Sequence, residues 1–333
     1  MPVRDGAGHV RLAIESILRQ TFTDFEFVIV DDASTDATPA ILAALRDDRV
    51  RLLTNATRLG LTRSLKRGLE VARGEYVARQ DADDVSRPTR LDRQVRFLDD
   101  NRDVALIGSD YIKIKRGGER ALRTVPRDCL GIRWRLLFVN SFAHSSVAFR
   151  RSTLEAVGGY GDEFRYAEDY ELWTRLASKY SVANVPEVLV EYREGSATMT
   201  ATYDSAAADV AEIIRRYRSG IRVPRGRDLT ADQPENISIQ RALLFGDANR
   251  PSLEELDHAV GAVLELHQHF CAFYGLTARE AARHRAWLLN RLARGFLRRS
   301  SRRLEARALI ASASLLVQAL RLTSAIALGR PSD

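Results

Sequence analysis

Apolar residues in the first hundred positions alternate between two spacings. Val10, Ala13, Ile14, Ile17 and Leu18 fall at i, i+3, i+4, i+7 and i+8, the stripe of an amphipathic helix. FEFVIV (25–30) predicts a strand, and DDASTDATP after it supplies turn and helix-capping residues. A helix over about 38–46 and a strand at VRLLT (50–54) follow. Leu61, Leu65, Leu69 and Ala72 then mark a helix ended by Gly74. EYVAR (75–79) is the next strand, and Leu91, Val95 and Leu98 mark the helix beyond it. Strand alternating with helix at this rhythm predicts an α/β fold, Rossmann-like, with a mostly parallel sheet and helices on both faces.

From 104 to 194 the order is less regular. VALIGSDYIKIK, SSVAFRR and VLVEYRE read as strands, and AEDYELWTRLASK as a helix. Past about 200 the pattern turns helical, with RVPRGRDLTADQPEN (222–236) as a linker and no internal repeat. The expected organisation is an α/β domain over 1–200 and a helical region over 201–333.

Length and charge narrow the choices. A chain of 333 residues can bury a core, as one large domain or two. Cys129 and Cys271 lie far apart and form no CxxC, so neither a disulfide framework nor a zinc motif is expected. With no charged-then-apolar leader, a cytoplasmic protein is the expectation. The net charge of +7 is uneven: residues 285–333 hold ten arginines against Glu305 and Asp333, a net +8, so the preceding residues sum to about −1. The tail has too few interleaved aromatics to stack bases, Trp287 and Phe296 standing alone, so no nucleic-acid partner is expected.

Open α/β sheets bind ligands at the carboxyl ends of their strands. Two acidic groups fall there, Asp31-Asp32 after one strand and Asp81-x-Asp83-Asp84 after another. Asp-rich loops serve as turns and N-caps often enough that either group alone reads as structural. Two at the ligand edge point to a pocket for a divalent cation and a phosphate-bearing ligand, because like charges this close need compensation.

At this point four runs matter together: MPVRDGAGHVRLAIESILRQTFTDFEFVIVDDASTD, NATRLGLTRSL, ARGEYVARQDADDVSRP and GGYGDEFRYAEDYELWTRL. In this order they resemble the family 2 glycosyltransferases of the GT-A fold, over about residues 1–195. The resemblance implies an inverting enzyme that moves a sugar from a nucleotide-sugar donor, a UDP-sugar first, to a hydroxyl of a saccharide or lipid-linked acceptor. Cell-surface polysaccharide or glycolipid synthesis is the implied setting. It also implies a divalent metal, Mg²⁺ or Mn²⁺, held by Asp83 with Asp81 as companion near the metal or ribose. Asp32 is expected against the base with Asp31 nearby, and Pro2, Val3 and Arg4 along the nucleotide pocket. Arg58 and Arg79 could face phosphates or stand as surface charges.

By the same resemblance Asp169 matches the catalytic base, and Glu168 positions Asp169 or a sugar hydroxyl. Without it, Glu168-Asp169 at a helix start would read as a response to the helix dipole. The chemistry is consistent, since an acceptor hydroxyl must lose a proton as it attacks the anomeric carbon. His144 matches a polar position near such sites, though a structural hydrogen-bonded histidine is the simpler account.

Two departures stand out. EYREGSATMT has no histidine after the YR that ends this domain, which leaves any third protein ligand to the metal in doubt. The first strand is almost missing ahead of Pro2, which leads us to expect that translation begins upstream. Rival functions are a receiver-type phosphotransfer domain, which lacks a suitably placed lysine, and an inactive nucleotide-sugar-binding or scaffold protein of the same fold.

In the tail, ALIASASLLVQALRLTSAIAL (308–328) carries one charge in 21 residues, enough to span a bilayer of about 30 Å. Ser314, Gln318 and Arg321 nonetheless share a face opposite Leu309, Leu316 and Leu320. Packing on protein, a peripheral position at the inner face of the cell membrane and a true span all stay open.

Overall fold

The computed structural model describes residues 1–164, 166–194, 203–221, 234–245, 253–299, 314–315 and 317–319. Two compact units divide the chain, one of residues 1–136 and 140–213, the other of 137–139 and 214–333.

The first unit opens with β1 (Pro2–Val3), α1 (Val10–Leu18), β2 (Phe27–Asp31), α2 (Thr38–Ala43), β3 (Val50–Thr54) and α3 (Leu61–Val71). β1, β2 and β3 form a parallel sheet with β2 in the centre. That position accounts for the apolar run of β2, since a strand covered on both faces cannot alternate with polar residues. The stripe of α1 puts Val10, Ile14 and Ile17 against Val3, Phe27, Ile29 and Leu42. β1 has only two residues, and a cavity of about 720 Å³ lies beside β2, lined among others by Ile17, Phe27, Val28, Leu65, Tyr76 and Val77.

The second sheet is built from β4 (Tyr76–Ala78), β5 (Val85–Ser86), β6 (Val104–Ile114), β7 (Arg120–Arg123), β8 (Ala148–Arg150) and β9 (Ser181–Arg193). Between them come α4 (Arg90–Asp100), α5 (Cys129–Leu136), a 3-10 turn at His144–Ser146, α6 (Arg151–Ala156) and α7 (Glu168–Lys179). The order is β4-β8-β6-β9-β5, with β7 on β6. β6 and β9 run parallel, whereas β4–β8, β6–β8, β6–β7 and β5–β9 are antiparallel. The α/β class is as expected, and the parallel pattern is strict only where a helix-bearing crossover joins the strands. A tight turn with Gly118 at φ +80° sends β7 straight back along β6. Gly108 lets β6 approach its neighbours: a Cβ there would meet Asn184 Oδ1 and lie 2.6 Å from Phe142 Cδ1.

The second unit holds α9 (Pro234–Phe245), α10 (Leu253–Phe273) and α11 (Ala278–Arg299), and α8 (Tyr203–Ser219) runs into it. Leu243, Leu244, Val263, Leu266, Phe270, Leu288, Leu289 and Leu292 form its apolar interior. The buried Arg218 guanidinium donates from Nε to Leu137 O (3.0 Å) and from Nη2 to Gln240 Oε1 (2.9 Å). No helix of the described residues is long and apolar enough to cross a membrane. Most of 308–328 lies outside the described residues; within it Leu315 and Ala319 are buried.

Candidate active site

The two acidic groups come to the same edge through different local chemistry. β2 ends at Asp31, and the chain turns through Ala33 at φ +54°, a left-handed conformation uncommon for a residue with a side chain. Asp31 Oδ1 accepts Ser34 N–H at 3.1 Å and so closes the turn. Asp32 reaches across to α3, where its oxygens accept Asn55 Nδ2 (2.7 Å), Leu59 N–H (2.7 Å) and Gly60 N–H (2.9 Å). Leu59 and Gly60 lead into the N-terminus of α3, whose first amides have no partner within the helix, and Asn55 follows β3. Burial would raise the Asp32 pKa, but the donors prevail and hold it below the usual carboxylate range.

Pro2 and Val3 pair with Val30 and Asp31, Val3 O accepts Asp32 N–H (2.9 Å), and Arg4 Nη1 donates to Asp32 O (3.1 Å). The loops after β1 and β2 are laced together where Asp5, at φ +47°, accepts Thr35 N–H (2.7 Å) and donates its own N–H to Ser34 Oγ (3.0 Å). The expected nucleotide stretch is therefore one continuous edge, although Asp31 and Asp32 spend carboxylate oxygens within the protein. Arg58 is exposed on the loop before α3.

Across this edge stands the loop after β4. Ala82 packs against the cluster of Val3, Val10 and Ile14, so the start of the chain touches the Asp-x-Asp segment. Asp81 Oδ2 accepts the Ser145 hydroxyl at 2.9 Å, and the same hydroxyl accepts Asp81 N–H at 2.9 Å. Asp81 Oδ1 meets Arg79 Nη2 at 2.6 Å. Arg79 is not a surface charge: its side chain is 3% exposed, and beyond this ion pair its nitrogens have no hydrogen-bond partner among the described residues. Burial opposes ionisation of Asp81, and Arg79 and the Ser145 hydroxyl outweigh it, so its pKa falls.

Asp83 differs. It makes no ion pair among the described residues, and burial followed by the charge of Asp81 raises its pKa. Asp84 Oδ1 accepts Arg193 N–H at 2.6 Å, while its Oδ2 is left unsatisfied because the Ser145 proton is spent on Asp81. Burial, then Asp81, raises the Asp84 pKa strongly. Of the three carboxylates only Asp81 pairs with Arg79, and the mutual repulsion that raises Asp83 and Asp84 is what a cation would relieve. This is an environment that fits a hard divalent cation, with Asp83 the carboxylate least committed elsewhere.

A second arginine shapes the loop from behind. Arg90, fully buried, donates to Gln80 Oε1 (3.0 Å), Ser86 Oγ (2.9 Å), Arg79 O (2.7 Å), Val147 O (3.0 Å) and Gln94 Oε1 (3.2 Å). It thereby fixes the exit of β4 against β5, α4 and the start of β8.

α7 supplies the remaining carboxylates. Glu168 is 5% exposed, and its pKa is driven up by burial and then by its neighbour Asp169. Asp169 accepts Tyr170 N–H on Oδ1 (2.6 Å) and Asn140 Nδ2 on Oδ2 (2.9 Å). Burial still pushes its pKa above the ordinary range. Arg79 and Asp81 act electrostatically on both residues, so the Asp81 loop and the start of α7 lie near one another. His144 Nε2 lies 2.8 Å from the Tyr160 hydroxyl, its ring among Tyr160 and Trp173, and burial keeps it neutral. It holds the wall of the pocket. Ser145, Asn140, Arg90 and Tyr192, the last sensing Asp81, Asp84 and Asp169, escaped the sequence reading; the polar run NSFAHSS was the one available signal.

Comparison with known proteins bears on this arrangement. The family described as Glycosyl transferase family 2 matches residues 1–158. The "Putative glycosyltransferase EpsE" of Bacillus subtilis is 36% identical over 191 residues, covering 55% of this chain and 68% of that protein. The chain belongs to glycosyltransferase family 2. The "Amylovoran biosynthesis glycosyltransferase AmsE" of Erwinia amylovora is 32% identical over 186 residues, covering 55% of the glycosyltransferase described here and 70% of its relative. Among solved structures, S. aureus TarS 1-349 in complex with UDP-GlcNAc superposes with a TM-score of 0.57 at 18% identity, over 99% of this chain and 90% of that one. That likeness establishes the GT-A fold for this glycosyltransferase.

Proposed function

We propose that this glycosyltransferase moves a sugar from a UDP-sugar to a hydroxyl of a growing saccharide or lipid-linked acceptor during cell-surface polysaccharide assembly, in one inverting step. The observation that carries the proposal is the convergence of Asp81, Asp83, Glu168 and Asp169 around the buried guanidinium of Arg79. The donor end and the base end of a transfer reaction then share one pocket. Polysaccharide assembly is suggested by the AmsE name and a uridine donor by the TarS ligand.

The edge formed by Pro2, Val3, Arg4, Asp31 and Asp32 would bind the nucleoside. Because the carboxylate of Asp32 is occupied by α3, we assign base contacts to backbone groups along this edge, with Asp32 holding the edge in place. Asp83, with Asp81 beside it, would hold Mg²⁺ or Mn²⁺, which when bound offsets charge on the departing nucleoside diphosphate. Arg79 holds Asp81 ionised and in place. Asp169 takes the acceptor proton on a carboxylate fixed by Asn140 and the Tyr170 amide. Glu168 retains its own proton to higher pH than a free glutamate and would position Asp169 or a sugar hydroxyl.

We assign the transfer chemistry to residues 1–200, and acceptor or membrane association to 201–333, whose arginines would draw it to anionic lipid at the inner face of the cell membrane. Incubating the purified chain with Mn²⁺ and a panel of nucleotide sugars, and following nucleoside diphosphate release, tests the chemistry. UDP release that requires metal and stops in Asp169→Asn is the expected result. Release from no donor, or release indifferent to Asp169→Asn, contradicts it. Flotation with anionic liposomes, with and without residues 285–333, tests the membrane assignment; both forms staying in the soluble fraction at low salt overturns it.

A further inference from the structure

The helical unit contains a second group of metal-ligand side chains, with a different chemistry from the carboxylates. His267 and Cys271 are one turn apart on α10, and Cys271 Sγ lies 3.4 Å from His267 Nε2 and 3.9 Å from Nδ1. α11 brings in His284, whose ring centroid is 5.1 Å from that of His267. One donor atom of each residue lies within 4.8 Å of the other two. His267 is 3% exposed and Cys271 9%. Phe270 and Trp287 flank the His284 ring at 5.7 Å and 5.6 Å, so the group sits in largely apolar surroundings.

We propose that His267, Cys271 and His284 bind a thiophilic divalent cation of the zinc type and thereby tie α10 to α11. Zinc takes nitrogen at about 2.0–2.1 Å and thiolate sulfur at about 2.3 Å, which in a tetrahedron places donor atoms roughly 3.3–3.7 Å apart. The Sγ–Nε2 distance already meets that spacing, and the third donor requires rotation of the His284 ring out of its stack on His267.

Both buried residues present suitable chemistry. Burial, then His284, lowers the His267 pKa to about 3, so its ring is neutral. Burial raises the Cys271 thiol to about 11, against the opposing charge of Arg285. The cation therefore takes the place of the thiol proton: the S–H bond breaks, an S–metal bond forms, and the proton leaves to solvent. Three protein ligands leave a fourth position for water or an added ligand. A site with two imidazoles and a thiolate selects against Mg²⁺ and Mn²⁺, which favour oxygen, so it is chemically separate from the loop of Asp81 and Asp83.

The test uses the full chain, stripped of metal and titrated with Co²⁺ as a spectroscopic stand-in. A thiolate-to-cobalt charge-transfer band that saturates at stoichiometric metal, and that Zn²⁺ displaces, is expected. The band should vanish in Cys271→Ser and persist in Cys129→Ser and Asp83→Asn. Thermal unfolding supplies a second readout: Zn²⁺ should raise the midpoint of the unmodified chain but not of His284→Gln. Absence of the band, its survival in Cys271→Ser, or an equal zinc effect in His284→Gln overturns the proposal and leaves an ordinary buried thiol–imidazole hydrogen bond.

Discussion

Replacing Arg79 with methionine isolates the interaction on which the pocket depends. Methionine keeps most of the volume of the arginine stem and removes the charge. Asp81 then keeps the Ser145 hydroxyl and loses its counter-ion. Breaking a buried ion pair by removing one partner costs about 3–5 kcal/mol, because the remaining charge is left uncompensated. The Arg79 side chain is 3% exposed, but that of Asp81 is 28% exposed and can recover some hydration, so the lower end, about 3 kcal/mol, applies. The folded-state pKa of Asp81 is depressed. Its contribution is therefore present above the ordinary carboxylate pKa of about 3.9 and is lost as pH falls through the lower folded value. In the variant that depression disappears, so the deficit should be full from pH 7 down to about pH 5 and shrink only as pH falls below about 4. Urea unfolding followed by tryptophan fluorescence in a Trp287→Phe background reports the first unit, which contains Trp134 and Trp173. A loss below about 1 kcal/mol at pH 7, or a deficit independent of pH, would refute the counter-ion role.

Asp169→Asn should lower turnover by about 10²–10⁴-fold, the usual worth of a general base, while donor affinity measured by calorimetry is unchanged. Because burial raises the pKa values of Glu168 and Asp169, the acid limb of the rate profile should lie above the ordinary carboxylate range, and a limb near pH 4 would contradict the assignment. The stability sign follows from the same shift: a raised acid stabilises the fold below its ordinary pKa and loses that contribution as pH rises through the folded value. Glu168→Gln should therefore raise the thermal midpoint at pH 9 relative to the unmodified chain, with little difference at pH 4. Gly108→Ala should cost about 1–3 kcal/mol by overpacking against Phe142 and Asn184, read as a lower urea midpoint with an unchanged slope.

What the chain announces in advance, and what it hides, divides along physical lines. α1 and β2 are legible because their apolar positions keep one period and face one core. α5 is not, since Ile132, Trp134 and Leu136 are buried at alternate positions and leave no helical stripe. The antiparallel partners of β4 and β8 are hidden too, because strand alternation carries no information on which strand a segment will meet. The carboxylates of the site announce themselves by charge clustered at strand ends. Their neutral supports do not: Ser145 and Asn140 are ordinary polar residues until folding brings one to Asp81 and the other to Asp169. Arg79 shows the limit most clearly, as a charge beside a strand end reads equally well outward or inward, and only burial decides.

The central claim is that the loop of Asp81 and Asp83 is a metal-dependent nucleotide-diphosphate site with Asp169 as a separate base. Isothermal titration of UDP into the purified chain with and without Mn²⁺, repeated for Asp83→Asn and Asp169→Asn, tests it most directly. The account predicts binding that requires Mn²⁺, is lost in Asp83→Asn and is retained in Asp169→Asn. Unchanged Mn²⁺-dependent binding in Asp83→Asn would contradict it.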